Sequence, residues 1–492
     1  MNCKKVICGL AVLCSFGNLA NAEEIKRNNL NIDKKDAEYI EKNNKEYNTE
    51  VKSESVYGKE IESGEINNNS NVAIQEDKKV KFEEILEFTF ENNDVLNAER
   101  QKTKAVETSK FKTIGENALP EVGIDLNYGY TDFKQTLGTE PLKFRLNDDG
   151  SLENNKIYLQ QPLFKSGRTV AKVKAVNNQI LAQKNQLNQK EQEVLFNTIQ
   201  ATVNLLQSKE ILEITIKNEE SLKSSYEYIK AKKKVGRATA SDLSLAEARY
   251  SSAKSDTITA STKYLNAKAT FLRITKIDPD VIDVDYNTLF KNSFNYSIGY
   301  DKVLETALQK NPQYQSAKNY YEMSKNNLTF AKTDFLPELF LNAQWGREKT
   351  TDVSSQTASS VSVNLKVPLF QSGVEYASHK EAGYKVNEAK FTLNDVKDTL
   401  MEQTMATYDE FLSSKSLIVS SKAYRDAAKI TLNSTVAEEK VGKSTLVDVL
   451  DRRREYFDTE ISFLKNKSDV IMHYYTIRLL MGELNLIDLF IY

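Results

Sequence analysis

One block of this chain is written twice. Pro162-Leu163-Phe164-Lys165-Ser166-Gly167 returns as Pro368-Leu369-Phe370-Gln371-Ser372-Gly373. Val235-Gly236-Arg237 returns as Val441-Gly442-Lys443, and Asp242 as Asp448. Each landmark is displaced by 206 residues, although most side chains in between differ. A duplicated unit keeps its length this way when geometry fixes that length. The chain is therefore read as two copies of one unit, at 79–290 and 291–485, with a short tail at 486–492.

Each copy changes period along its length. From Phe82 the apolar residues Ile85, Leu86 and Phe90 mark one helical face, and no proline interrupts the segment up to about Asn117. Its counterpart runs from Val303 to about Phe335, with Asn311-Pro312 answering Asn93-Asp94. Both end at Leu-Pro-Glu (119–121 and 336–338), where proline cannot continue a helix. Strand alternation follows. Val122, Ile124, Leu126, Tyr128 and Tyr130 alternate with Gly123, Asp125, Asn127, Gly129 and Thr131. Leu339, Leu341, Ala343 and Trp345 do the same in the second copy, and Val361, Val363, Leu365 and Val367 form a second alternating run. Each copy thus predicts one β-hairpin, at 121–164 and 338–370, the first with the longer loop and a weaker second strand at Ile157 and Leu159.

Long helices come next. Neither Gly nor Pro occurs from Arg168 to Val235, and Val173, Ile180, Leu187, Val194 and Ala201 recur every seven residues. Val386, Leu393 and Leu400 repeat that spacing in the second copy. A seven-residue period implies left-handed coiled-coil packing. At about 1.5 Å per residue the first long helix is about 100 Å long. Val235-Gly236 and Val441-Gly442 supply turns, and return helices run to about Thr275 and Met481. Two shorter helices stacked end to end match one long one, so the reading is a rod of helices with a β-hairpin at one end. With 7 Pro, 17 Gly and 28% charged residues, long solvated helices suit the composition better than several thick globular cores.

Residues 1–22 read as a secretory signal: Lys4-Lys5, an apolar run from Val6 to Phe16, then Ala20-Asn21-Ala22. All three cysteines (Cys3, Cys8, Cys14) fall within it, which removes disulfides, thiol catalysis and cysteine-bound metal from the mature chain. The bulky Leu13 before Cys14 argues against lipid attachment. Residues 23–78, rich in Asn, Lys, Glu and Ser without a period, are expected to be a solvated, disordered leader. No apolar run of about 20 residues follows, so a membrane role requires strands. A net charge of −2 gives no basis for nucleic-acid binding. His379 and His473 are the only histidines, and no nucleophile motif, phosphate loop or cofactor fingerprint is present. Neither an enzyme nor a metal or other cofactor is expected.

Four strands cannot close a barrel alone, and an open edge cannot sit in lipid with unpaired backbone groups. Several copies must join, apolar faces outward and polar faces around water. Two would give 8 strands and a filled interior; three would give 12 and room for a pore. Tyr128, Tyr130 and Trp345 suit a membrane-interface girdle. The other reading is a periplasmic adaptor or structural coiled-coil protein that never inserts, although adaptors typically carry one helical hairpin rather than two.

The duplicated order of helix, Leu-Pro-Glu, hairpin, Pro-Leu-Phe-x-Ser-Gly, long helix, Val-Gly turn and Asp resembles the TolC family of outer-membrane efflux channels. The likeness covers about residues 80 to 485 and is most specific at Val441 to Asp451. It implies a homotrimer: a 12-stranded β-barrel in the outer membrane joined to an α-barrel tunnel across the periplasm, docked to an inner-membrane pump through an adaptor. It also implies export of small molecules, as in drug efflux, or of proteins by a one-step type I route. Asp448 and Asp451, three apart on a helix, match positions that form acidic rings at the periplasmic entrance, and Asp242 matches one that helps hold it closed. The other reading of Asp448 is a first-turn acid capping its helix. The Arg and Tyr of the family's best-known closures are Ser444 and Glu439 here, which leaves Lys443 or Arg237 as candidate cationic partners. Val235, Gly236, Val441 and Gly442 belong to the turns that would meet the adaptor. Lys232-Lys233-Lys234 and Arg452-Arg453-Arg454 flank the same tip and read chiefly as solvated faces.

Overall fold

The computed structural model describes residues 79–137, 144–350, 354–370 and 372–486. The expected signal segment with its cysteines, the leader to residue 78 and the tail beyond 486 lie outside them. The elements are α1 (Phe82–Asn92), α2 (Asp94–Ala118), β1 (Glu121–Leu137), β2 (Phe144–Phe164), α3 (Arg168–Lys234) and α4 (Ala240–Thr275). They continue with α5 (Tyr286–Asn295), α6 (Tyr300–Lys310), α7 (Pro312–Lys332), β3 (Glu338–Thr350), β4 (Ser354–Lys366), α8 (Val374–Lys440) and α9 (Leu446–Leu480). A short 3₁₀ turn, Thr333–Phe335, prolongs α7.

The long helices α3 and α8 both have 67 residues, about 100 Å, and begin and end 206 residues apart. Helices α2 and α4 lie along α3 in succession; α7 packs between α3 and α8, and α9 lies along α8 while touching α3. Three of the eight residues of the expected seven-residue seam are deeply buried (Val194, Ala201, Leu400), while Val173, Ile180, Leu187, Val386 and Leu393 are half-buried. The repeated Ser-Gly pairs make the elbow from strand to helix. Ser166, Gly167, Ser372 and Gly373 all have positive φ, a two-residue left-handed bend before each long helix.

Two expectations change. The segments 82–117 and 303–335 are each broken, at Asn93 and Asn311, where an extended backbone lets the side chain accept from Leu96 N (3.1 Å) and Tyr314 N (3.0 Å). An asparagine cap ends one helix and starts the next, helped at the second break by Pro312 in the first helical position. Residues 276–302, unassigned from sequence, hold α5 and the start of α6. These pack Tyr286, Leu289 and Val303 against Leu195, Ile199 and Val203 of α3 and Val470, Ile471 and Tyr474 of α9, forming a thickened core near mid-rod.

The strands form one antiparallel sheet in the order β1-β2-β3-β4, leaving β1 and β4 as open edges. The expected first loop is largely strand. β1 and β2 stay paired as far as Leu137 and Phe144, beyond the last β2–β3 pair, Leu152 with Thr350. A ladder propagates on backbone hydrogen bonds, so it needs no side-chain alternation there. No helix among the described residues is long and apolar enough to cross a membrane.

Candidate functional site

The sheet has two chemically different faces, fixed by register. Directly opposed residues share a face, so Val122, Leu159, Ala343 and Val361 align, as do Ile124, Ile157 and Trp345. Leu341 with Val363, and Leu339 with Leu365, extend this apolar face toward the helices. On β1 it continues the other way through Leu126, Tyr128 and Tyr130, whereas the same rows on β2 and β3 carry Asn155, Glu153, Arg347 and Lys349. The apolar band therefore runs diagonally across the strands, as strand tilt in a closed barrel demands. Most of its members are solvent-exposed in the single chain, among them Tyr128 at 69%, Tyr130 at 73% and Trp345 at 54%, while Leu159, Leu339, Leu341 and Ala343 are half-buried. The opposite face carries Glu121, Asp125, Asn127, Asn154, Lys156, Gln344, Glu348 and Gln356, with Phe340, Leu152 and Ala358 among its apolar members. Lys156 Nζ and Asp125 pair across it at 3.1 Å.

The second locus is the far tip of the rod. Gly236 (φ 72°) and Gly442 (φ 76°) take the left-handed conformation that closes each turn. Arg237 N donates to Lys232 O and Lys443 N to Glu438 O, both at 2.9 Å, satisfying helix-end carbonyls. Val235 and Val441 stay exposed at the apex. Return helices α4 and α9 begin with identical caps. Asp448 Oδ2 accepts from Thr445 N (2.9 Å) and Thr445 Oγ1 (2.6 Å), while Asp448 N donates to Thr445 Oγ1 (3.2 Å). Asp242 repeats this with Thr239. Hydrogen bonds from the threonine hold both carboxyls below the usual aspartate range. The capping role of Asp448 is thus realised, and Asp242 does the same.

Asp451 behaves differently. Its Oδ1 accepts from Arg249 NH2 of α4 at 2.8 Å, joining the two return helices. Beside it Leu450, 2% exposed, packs on Leu222 of α3 and Ala253 of α4, with Leu245 and Leu446 at the margin. Lower down, Lys232 Nζ pairs with Glu439 at 3.1 Å and lies 4.4 Å from the centre of the Tyr228 ring. Ser444 Oγ donates to Glu438 at 2.8 Å. Arg237 and Lys443, the candidate cationic partners, enter no side-chain ion pair among the described residues; the ion pairs that join the two hairpins there are made by Arg249 and Lys232. Sequence reasoning missed both, though one signal was available. Lys232-Lys233 recurs as Glu438-Glu439 and Arg249 as Glu455, so equivalent positions carry opposite charge. Arg452 and Arg454 pair within α9 with Glu455 and Asp458. His473 faces Glu410 at 3.5 Å, and His379 meets the edge of Phe335.

Residues 91–275 and 303–483 match the family described as outer membrane efflux protein, one segment in each repeat. The outer membrane efflux protein BepC of Brucella suis is 22% identical over 324 residues, spanning 65% of this chain and 70% of that protein. The alkaline protease secretion protein AprF of Pseudomonas aeruginosa is 22% identical over 388 residues, 77% of this chain and 80% of AprF. The fold is shared with the Campylobacter jejuni CmeC outer membrane channel, with a TM-score of 0.71 at 15% identity over 86% of this chain and 94% of CmeC.

Proposed function

The chain belongs to the outer membrane efflux protein family, and from that premise we propose that three copies close into one conduit running from a periplasmic entrance to the cell exterior. Its place is the outer membrane and its work is efflux or secretion, not bond-making chemistry. A periplasmic adaptor that never inserts is excluded by that membership.

The observation that carries the trimer is a pair of unpartnered stripes at opposite edges of the protomer. On α8, Tyr384, Phe391, Met405, Leu412 and Val419 are exposed and fall on one seven-residue stripe. On the other edge Phe111 of α2 and Ile258, Leu265 and Leu272 of α4 are exposed, the last three again seven apart. The pair Lys232–Glu439 sets the two tips level. Counted from Lys440, Met405, Leu412 and Val419 lie 35, 28 and 21 residues up α8; counted from Ala240, Leu272, Leu265 and Ile258 lie 32, 25 and 18 residues up α4. The two series alternate, as knobs and holes of neighbouring chains require. The open edges β1 and β4 continue these same helices, so one rotation would satisfy both sheet and rod.

In this reading the diagonal apolar band meets outer-membrane lipid, with Tyr128, Tyr130 and Trp345 at its borders. Asp448, with one carboxylate oxygen committed to its cap, and Asp451 face the narrow entrance. Arg249–Asp451, Lys232–Glu439 and the Leu450 wedge hold the two hairpins of each chain together and so hold the entrance closed; Asp242 contributes by fixing the start of α4. The exposed Val235-Gly236 and Val441-Gly442 turns offer an apolar apex to a periplasmic adaptor, which links the conduit to an inner-membrane pump. Cargo is a small molecule or a secreted protein; the names of the relatives carry efflux in one case and protease secretion in another. Fractionation with unheated gel electrophoresis tests the reading. A heat-sensitive trimer in the outer membrane is expected, and a soluble periplasmic monomer would overturn it.

A further inference from the structure

We infer that Tyr158 sets the calibre of the barrel, lying flat on the wall because Gly123 leaves room beneath it. This rests on the reading of the polar sheet face as the lumen. Gly123 and Tyr158 are directly paired across β1 and β2 and share that face. A Cβ built on Gly123 would meet Tyr158 Cζ and Oη at 2.5 Å and Cε1 at 2.7 Å, so the ring covers the glycine itself. The phenol hydroxyl donates to Glu121 Oε1 at 3.2 Å, fastening the far end of the side chain one row toward the helices. Gln344 and Ser360 complete the row on β3 and β4, so Tyr158 is its bulkiest member. An aromatic folded over a cross-strand glycine is a recognised way for a sheet to cover bare backbone. In a wall facing water it also has a steric consequence: the ring adds one aromatic thickness, about 3.5 Å, instead of its full length.

Three copies would place three such rings at one level, a collar of flat aromatic faces and anchored hydroxyls. Any side chain at 123 must lift the ring into the lumen, since the obstructing atoms are the movable end of Tyr158 rather than backbone. Residues 123 and 158 together would thus decide how large a solute passes.

The test uses the full-length trimer in intact cells, with Asn364→Cys as reporter. Asn364 pairs with Phe340 on the same face, two rows nearer the helices than the collar, and no cysteine occurs in the chain beyond Cys14. Maleimide-polyethylene glycols of graded size are added from outside and labelling rates compared. Gly123→Val should slow the largest reagent that passes the unmodified collar at least tenfold while sparing the smallest. Tyr158→Ala should admit a larger one, and Tyr158→Ala in the Gly123→Val background should restore passage. If Gly123→Val fails to assemble, Tyr158→Ala alone decides. Size selection indifferent to both changes, or a Gly123→Val block that Tyr158→Ala does not relieve, would overturn the inference while leaving the pore intact. A reporter that even the smallest reagent never reaches would overturn the pore reading itself.

Discussion

Replacing Arg249 with alanine should open the entrance. The pair with Asp451 is partly exposed, 37% and 55% for the two side chains, so its worth lies in the modest range of about 0.2–1 kcal/mol. Taking about 0.5 kcal/mol per chain and three chains opening together gives about 1.5 kcal/mol, close to a tenfold rise in the open-to-closed ratio. Single-channel recording in planar bilayers at 0.1 M salt reads this as longer or more frequent high-conductance openings. The gap should shrink at 1 M salt, where the screening length falls from about 10 Å to about 3 Å. Arg249→Asp combined with Asp451→Arg rebuilds the pair and should restore closure. Freed Asp451 carboxylates should also strengthen block by multivalent cations, so opening and block rise together. If Arg249→Ala leaves the low-salt open fraction unchanged, the ion pair is not part of the latch and the apolar wedge alone holds the hairpins.

Four other outcomes follow from the tip. Leu450→Ala deletes a fully buried side chain between hairpins and should cost about 2–5 kcal/mol of that contact, seen as a larger rise in opening than Arg249→Ala and little affected by salt. Thr445→Ala removes one capping box at about 1 kcal/mol, and amide exchange in the first turn of α9 should quicken about fivefold. Acid should act the same way. A carboxyl held below its usual value contributes stability above the ordinary aspartate range and loses it as pH falls through the lowered value, so both caps at Asp242 and Asp448 should weaken only in strong acid; weakening already near neutrality would contradict the geometry. Asp448→Ala with Asp451→Ala should relieve block by multivalent cations, and undiminished block would remove these residues from the acidic rings.

What the sequence made legible was whatever a period or a repeat can carry. The strands after Pro120 and Pro337, the 67-residue helices and the Gly turns each follow from local pattern. The break at Asn93 was not legible, because a single capping side chain outweighs the otherwise continuous helical spacing around it. Helix α5 and the first residues of α6 escaped because α5 is short and is stabilised by docking Tyr286 and Leu289 into the core near mid-rod. The Arg249–Asp451 and Lys232–Glu439 pairs join residues about 200 apart, and no local pattern announces such contacts. The fit of Tyr158 over Gly123 depends on cross-strand register, which the weak alternation of β2 did not fix.

The central claim is ring closure by the α8 stripe of one chain against the α4 stripe of the next. Leu265→Cys and Leu412→Cys in one chain place the two thiols at nearly matching heights on opposite edges. Mild oxidation of outer membranes should then yield covalent trimers on a denaturing gel, while either single substitution yields only monomers. Oxidation that leaves the double variant monomeric, or crosslinks it only through contacts the single variants also make, would contradict the account.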